Sequence, residues 1–217
     1  MSTRTIAVTT HGRYLIDPPA SAGPAPLLVG FHGYGEGAEA QLERLRRIPG
    51  ADRWRLVSIQ GLHRFYQRRA NQVVASWMTR QDRELAIGDN LAYVAAVLDE
   101  VDREHPGAQR LVLSGFSQGV AMTFRAAAAA ARVVDGVIAV GGDVPPELDA
   151  AAIGRIGRIL ICHGTRDEFY TDPIFDRDLQ RLRASNAGVT PLTFDGGHEW
   201  PEPVVEASSL FLRERWP

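Results

Sequence analysis

LVLSGFSQGV, residues 111–120, runs from an apolar stretch into a serine framed by glycines. A small-residue segment, AMTFRAAAAAAR, follows at once. The apolar half reads as a strand buried on both faces, as in a parallel sheet. The second half reads as a helix. Ser117 stands at the junction, with Gly115 and Gly119 two places away on either side. Glycines there let the chain turn sharply without side-chain clashes. The hydroxyl is then exposed beside a helix N-terminus, whose partial positive charge favours a developing anion.

Working outward, similar apolar runs recur at 26–31 (PLLVGF), 55–60 (RLVSIQ), 135–142 (DGVIAVGG) and 158–164 (RILICHG), with a shorter one at 190–194 (TPLTF). Helical patterns lie between them. In 84–104, Ile87, Leu91, Val94, Leu98 and Val101 step by four and three and share one helix face. EAQLERLRRI (39–48) is a second helix, and DPIFDRDLQRLRAS a third, opened by Asp172 as N-cap and Pro173 at the first helical position. PEPVVEASSLFLRERW (201–216) is the last. Strands alternating with helices predict a doubly wound α/β fold with a mostly parallel sheet. TIAVTT and RYLID predict an N-terminal hairpin ahead of it. No insertion is long enough for a cap domain, so residues 1–217 are expected to form one domain.

The chain has 217 residues and a net charge of −2. That balance gives no global attraction to nucleic acid or anionic membranes. All 24 basic residues are arginine, which excludes Schiff-base and lysine-base chemistry. Cys162 is the single cysteine, so no intrachain disulfide can form. No signal peptide is visible, and no segment approaches the roughly 18 consecutive apolar residues of a membrane span. A cytoplasmic location without integral membrane association is the expectation. No paired metal-ligand spacing or phosphate-binding glycine loop is present, so neither a metal nor a cofactor is expected.

In sheets of this type functional groups gather beyond the carboxyl ends of the strands. A serine hydroxyl is a weak nucleophile and needs a base, for which histidine is suited. His198, in FDGGHEWP after the last predicted strand, is the candidate base. The base needs a carboxylate to fix its tautomer. Asp167, ending RILICHGTRD, is the candidate, with Asp143 and Glu168 as competitors, whereas Asp195 lies too close in sequence to His198. The order Ser117, Asp167, His198 fits a nucleophile–acid–histidine arrangement. The HGYG turn after the first apolar run suggests an oxyanion hole from the main-chain N–H groups of Tyr34 and Gln118. His32 is expected to brace that loop. The long arginine-rich stretch 61–82 reads as a loop. Trp77, Met78, Phe169 and Trp200 are candidate substrate contacts, and Arg64, Arg68 and Arg69 candidates for an anionic group.

FHGYGEG, SWMTRQ, LSGFSQGV, GGDVP, ICHGTRDEF and DGGHEWP together resemble the α/β-hydrolase superfamily, and within it the small phospholipase/carboxylesterase branch that includes acyl-protein thioesterases. The resemblance runs over most of the chain. It implies a serine hydrolase cleaving carboxylic esters or thioesters of small or lipid-like substrates through an acyl-enzyme. The chain departs from that pattern at Tyr34, Glu36, Val120, Met78, Thr79 and the EFYTDP segment, so the resemblance does not carry over a substrate. Two other readings stay open: a hydrolase of the dienelactone-hydrolase type, and a non-catalytic binding protein on the same fold.

Overall fold

A computed structural model describes residues 2–67 and 71–214. Its main sheet has seven strands: β1 (Arg13–Asp17), β2 (Leu27–Phe31), β3 (Arg55–Gln60), β6 (Leu111–Phe116), β7 (Val134–Val140), β8 (Ile156–Gly164) and β9 (Gly188–Phe194). A separate two-stranded sheet joins β4 (His63–Gln67) to β5 (Gln72–Ser76). The helices are α1 (Ala38–Arg46), α2 (Arg83–Glu104), α3 (Gln118–Ala129), α4 (Ala150–Ile153), α5 (Asp172–Arg183) and α6 (Glu202–Arg213). Main-sheet order is β1-β3-β2-β6-β7-β8-β9. Only β1 runs antiparallel to its neighbour.

Alternate residues of the central strands enter two cores, one on each face of the sheet. Val29, Leu113 and Ile161 pack with residues of α2, α3 and α5. Leu28, Val112 and Leu160 pack with residues of α1 and α6. Two-sided burial is why these strands read as unbroken apolar runs. This is the doubly wound α/β-hydrolase architecture, with no inserted cap domain among the described residues.

Three expectations need correction. Residues 5–10 form no strand, so the N-terminal hairpin is absent and β1 pairs with β3 instead. Ile6 and Val8 are 87% and 81% exposed; β-favouring residues without a surface to bury against do not make a strand. Stretch 61–82 is not a plain loop, because it contains the β4–β5 hairpin. Helix α5 takes Thr171 as its N-cap, with Asp172 inside the first turn. The closing helix ends at Arg213, and residues 215 and 216 of the expected span lie outside the described part.

Candidate active site

The turn after β6 is built by close approach. A Cβ on Gly119 would sit 2.2 Å from the Phe31 carbonyl oxygen of β2, and one on Gly115 would sit 2.3 Å from Thr123 Oγ1. Helix α3 thus leaves the sheet against bare backbone. The unusual dihedrals fall on the serine, with φ 53° and ψ −123° at Ser117. An L-residue adopts that conformation only when its surroundings impose it. Here the Ser117 N–H is held by the Val140 carbonyl at 2.9 Å.

Asp167 and His198 arrive from the ends of β8 and β9. His198 Nδ1 lies 2.8 Å from Asp167 Oδ2. The other carboxylate oxygen accepts the N–H groups of Phe169 and Tyr170, both at 2.9 Å. The Asp167 side chain is only 1% exposed, so its orientation is fixed from both sides. Between β6 and β8, the chain leaves β7 through Gly141, whose added Cβ would meet Asp167 Oδ2 and His198 Cε1 at 3.4 Å. The His198 ring lies between Phe116 and Phe169, each 5.0 Å away between centroids. The competing acids, Asp143 and Glu168, make no hydrogen bond to His198, and Asp195 pairs with Arg166.

Ser117 and His198 share the walls of a cleft with two lobes. One, of about 480 Å³, runs past Gly33, Tyr34, Glu36, Arg44, Arg47 and Trp200. The other, of about 260 Å³, runs past Gly141, Gly142, Asp143, Phe169 and Ile174. Trp200 and Phe169 therefore line the cleft, and Phe169 is 74% exposed. Trp77 and Met78 do not. Trp77 is fully buried, with its indole N–H on the His32 carbonyl at 2.8 Å, and Met78 is buried against Arg125. An indole with an internal acceptor gains more from the core than from a wet cleft. Arg64 donates to the His11 carbonyl, outside both lobes. Arg68 and Arg69 lie outside the described residues.

Tyr34 and Gln118 sit on either side of Ser117, and no acceptor among the described residues takes the main-chain N–H of either. The Tyr34 ring is 62% exposed and 5.6 Å from the Phe65 ring. The Gln118 side chain has a task that the sequence did not reveal. Its Oε1 accepts the Trp77 N–H at 2.9 Å and its Nε2 donates to the Met78 carbonyl at 2.9 Å. It thereby ties the elbow to the segment that follows β5. The Glu36–Arg44 pair was also missed. Arg44 grips Glu36 with both terminal nitrogens, at 2.7 and 2.5 Å, and lies 4.2 Å over the Phe116 ring. Burial pushes the Glu36 carboxyl up, but the Arg44 guanidinium and the Gly33 N–H outweigh it and hold it below the usual carboxylate value. No local spacing announced the pair, because Glu36 lies in the turn before α1 and Arg44 on the helix itself.

The fold recurs in solved structures. An acyl-protein thioesterase 2 of Zea mays superposes with a TM-score of 0.73 at 18% identity, over 93% of this chain and 98% of that one. A Bacillus cereus carboxylesterase gives 0.75 at 18% identity, over 92% of each chain. A carboxylesterase from Mesorhizobium loti gives 0.73 at 21%, over 88% of this chain and 89% of that one. No curated protein matches the sequence significantly. A family model described as phospholipase/carboxylesterase matches residues 17–214, from the end of β1 to just past α6, and with nearly the whole α/β core inside that match the chain belongs to the phospholipase/carboxylesterase family.

Proposed function

We propose that the protein is a serine hydrolase that cleaves carboxylic esters or thioesters through an acyl-enzyme, with residues 1–217 as one catalytic domain. Ser117 Oγ attacks the carbonyl carbon while His198 Nε2 takes its proton. Asp167 holds Nδ1–H, so the tautomer leaves Nε2 free to act as base. The oxyanion is received by the N–H groups of Tyr34 and Gln118. The protonated imidazole returns its proton to the leaving alcohol or thiol. Water then repeats the sequence on the acyl-serine and releases the acid. The observation that carries this reading is the 2.8 Å His198–Asp167 contact beside an elbow serine with φ 53°.

The supporting relatives are described as an acyl-protein thioesterase and as carboxylesterases. The dienelactone-hydrolase alternative, which calls for a cysteine at the elbow, has little support: Cys162 is fully buried, and burial pushes its thiol well above the ordinary value. On short p-nitrophenyl esters, Ser117→Ala is expected to lose roughly a thousandfold or more in kcat. A fluorophosphonate should add one adduct, at Ser117. Full activity in the variant, or a folded protein that takes no label, would reject the assignment.

A further inference from the structure

We infer that His32 and Glu36 are positioning residues that lock the Gly33–Tyr34 peptide so that its N–H, and not its carbonyl, faces Ser117. This inference rests on the hydrolase reading above and goes beyond it by naming side chains that set one half of the oxyanion hole. The loop passes directly against the elbow here. A Cβ on Gly33 would sit 3.3 Å from Ser117 Cβ and 3.2 Å from Phe116 Cδ1. Whichever end of the Gly33–Tyr34 peptide turns toward the serine therefore meets the reacting carbonyl oxygen.

A trans peptide is planar, with C=O and N–H pointing in opposite directions. Fixing the Gly33 carbonyl thus fixes the Tyr34 N–H. That carbonyl is fixed by two donors, His32 Nδ1 at 2.7 Å and the Glu36 N–H at 3.3 Å. The preceding N–H of Gly33 is held by Glu36 Oε2 at 2.8 Å, and Glu36 is itself gripped by Arg44. The far end of the loop is pinned to β5, where Gly35 N–H meets the Ala75 carbonyl at 3.0 Å and Ala75 N–H meets the Glu36 carbonyl at 2.7 Å. A flip of the Gly33–Tyr34 peptide would strip two donors from a carbonyl and aim its lone pairs at a developing anion.

His32 suits this task because its two nitrogens do opposite things. The Gly61 N–H donates to Nε2 at 3.0 Å, which leaves the ring hydrogen on Nδ1, where it meets the Gly33 carbonyl. Complete burial, with the Trp77 ring 5.1 Å away, favours the neutral ring. His32 never reaches the substrate, so its effect runs wholly through the peptide it holds.

The test uses kcat, KM and the affinity of phenylboronic acid, whose tetrahedral serine adduct places an oxygen in the oxyanion hole. His32→Leu is expected to lower kcat roughly a hundredfold and to weaken the boronate by a similar factor, with KM within about threefold of the parent. His32→Asn, whose Nδ2 can replace the Nδ1 donor, should recover most of both. Glu36→Ala acts on the other side of Gly33 at a partly exposed position and serves as the second variant if His32→Leu does not fold. It is expected to show the same paired loss of kcat and boronate affinity. Unchanged kcat and boronate affinity in these variants would overturn the proposal, as would a kcat loss without a boronate loss. A parent protein inactive on every ester would instead sink the hydrolase reading, and this one with it.

Discussion

Asp167 divides its carboxylate between two tasks, and Asp167→Asn separates them. One oxygen accepts the N–H groups of Phe169 and Tyr170, and an asparagine oxygen does that equally well. The other faces His198 Nδ1, where an amide NH2 would hold the opposite tautomer. In the proposed mechanism, kcat should fall about 10⁴-fold while the urea midpoint barely moves. Steady-state kinetics and a denaturation curve on the same sample check both halves. His32 supplies a pH effect on stability. Burial lowers its pKa in the folded state, against an ordinary value of about 6.5. The unfolded chain therefore binds a proton that the folded chain resists. The stabilisation is complete above about pH 6.5 and is lost as the pH falls toward the folded value. Unfolding free energy measured by urea at pH 7.5 and 5.5 should drop more in the parent than in His32→Asn. At this scale the sequence named Ser117 and His198 from local pattern. Asp143 followed an apolar run much as Asp167 did, and only the position of its carboxylate separates the two.

The elbow between β6 and α3 shows the same limit at the scale of an element. Its strand–turn–helix outline was legible, because an apolar run followed by glycines and small residues is a local signal. The division of labour within it was not. Gly115 and Gly119 are small because backbone from β2 and α3 occupies the space, and the positive φ belongs to Ser117. Two outcomes follow. Gly119→Ala drives a methyl into the Phe31 and His32 carbonyls, neither of which is a movable side-chain end. It should destabilise the protein by at least about 1–3 kcal/mol in urea titration. Ser117→Gly should be inactive yet more stable than Ser117→Ala by about 1 kcal/mol, because glycine accepts φ 53° without strain. Equal midpoints for the two variants would show that the elbow stores no strain. The β4–β5 hairpin escaped the sequence because every residue of β4 is exposed, so no apolar alternation marks it.

Across the whole molecule, parallel strands bring their carboxyl ends to one edge, so Ser117 and His198 line one cleft and Asp167 reaches His198, although β7 separates the elbow strand from β8. The molecule is less well filled elsewhere. Between α2 and α3, a groove of about 350 Å³ is lined by Leu91, Val94, Leu98 and a run of alanines, and it shares no residue with the cleft lobes. Ala129→Leu should cover part of it and raise stability by about 0.5–2 kcal/mol without changing kcat, which a melting curve and an ester assay together check. The sequence by itself determined the alternation of strands and helices, the two-sided burial of the sheet and the order of serine, acid and histidine. Those features follow from residue types at short spacing, where burial and turning are local demands. Only the tertiary structure decided that Asp167 meets His198, that Trp77 belongs to the core and Phe169 to the cleft, that residues 5–10 pair with nothing, and that Gln118 ties the elbow to β5 through its side chain. Each of these depends on which polar atom or bare surface lies opposite, and those partners come from elements far apart in the chain.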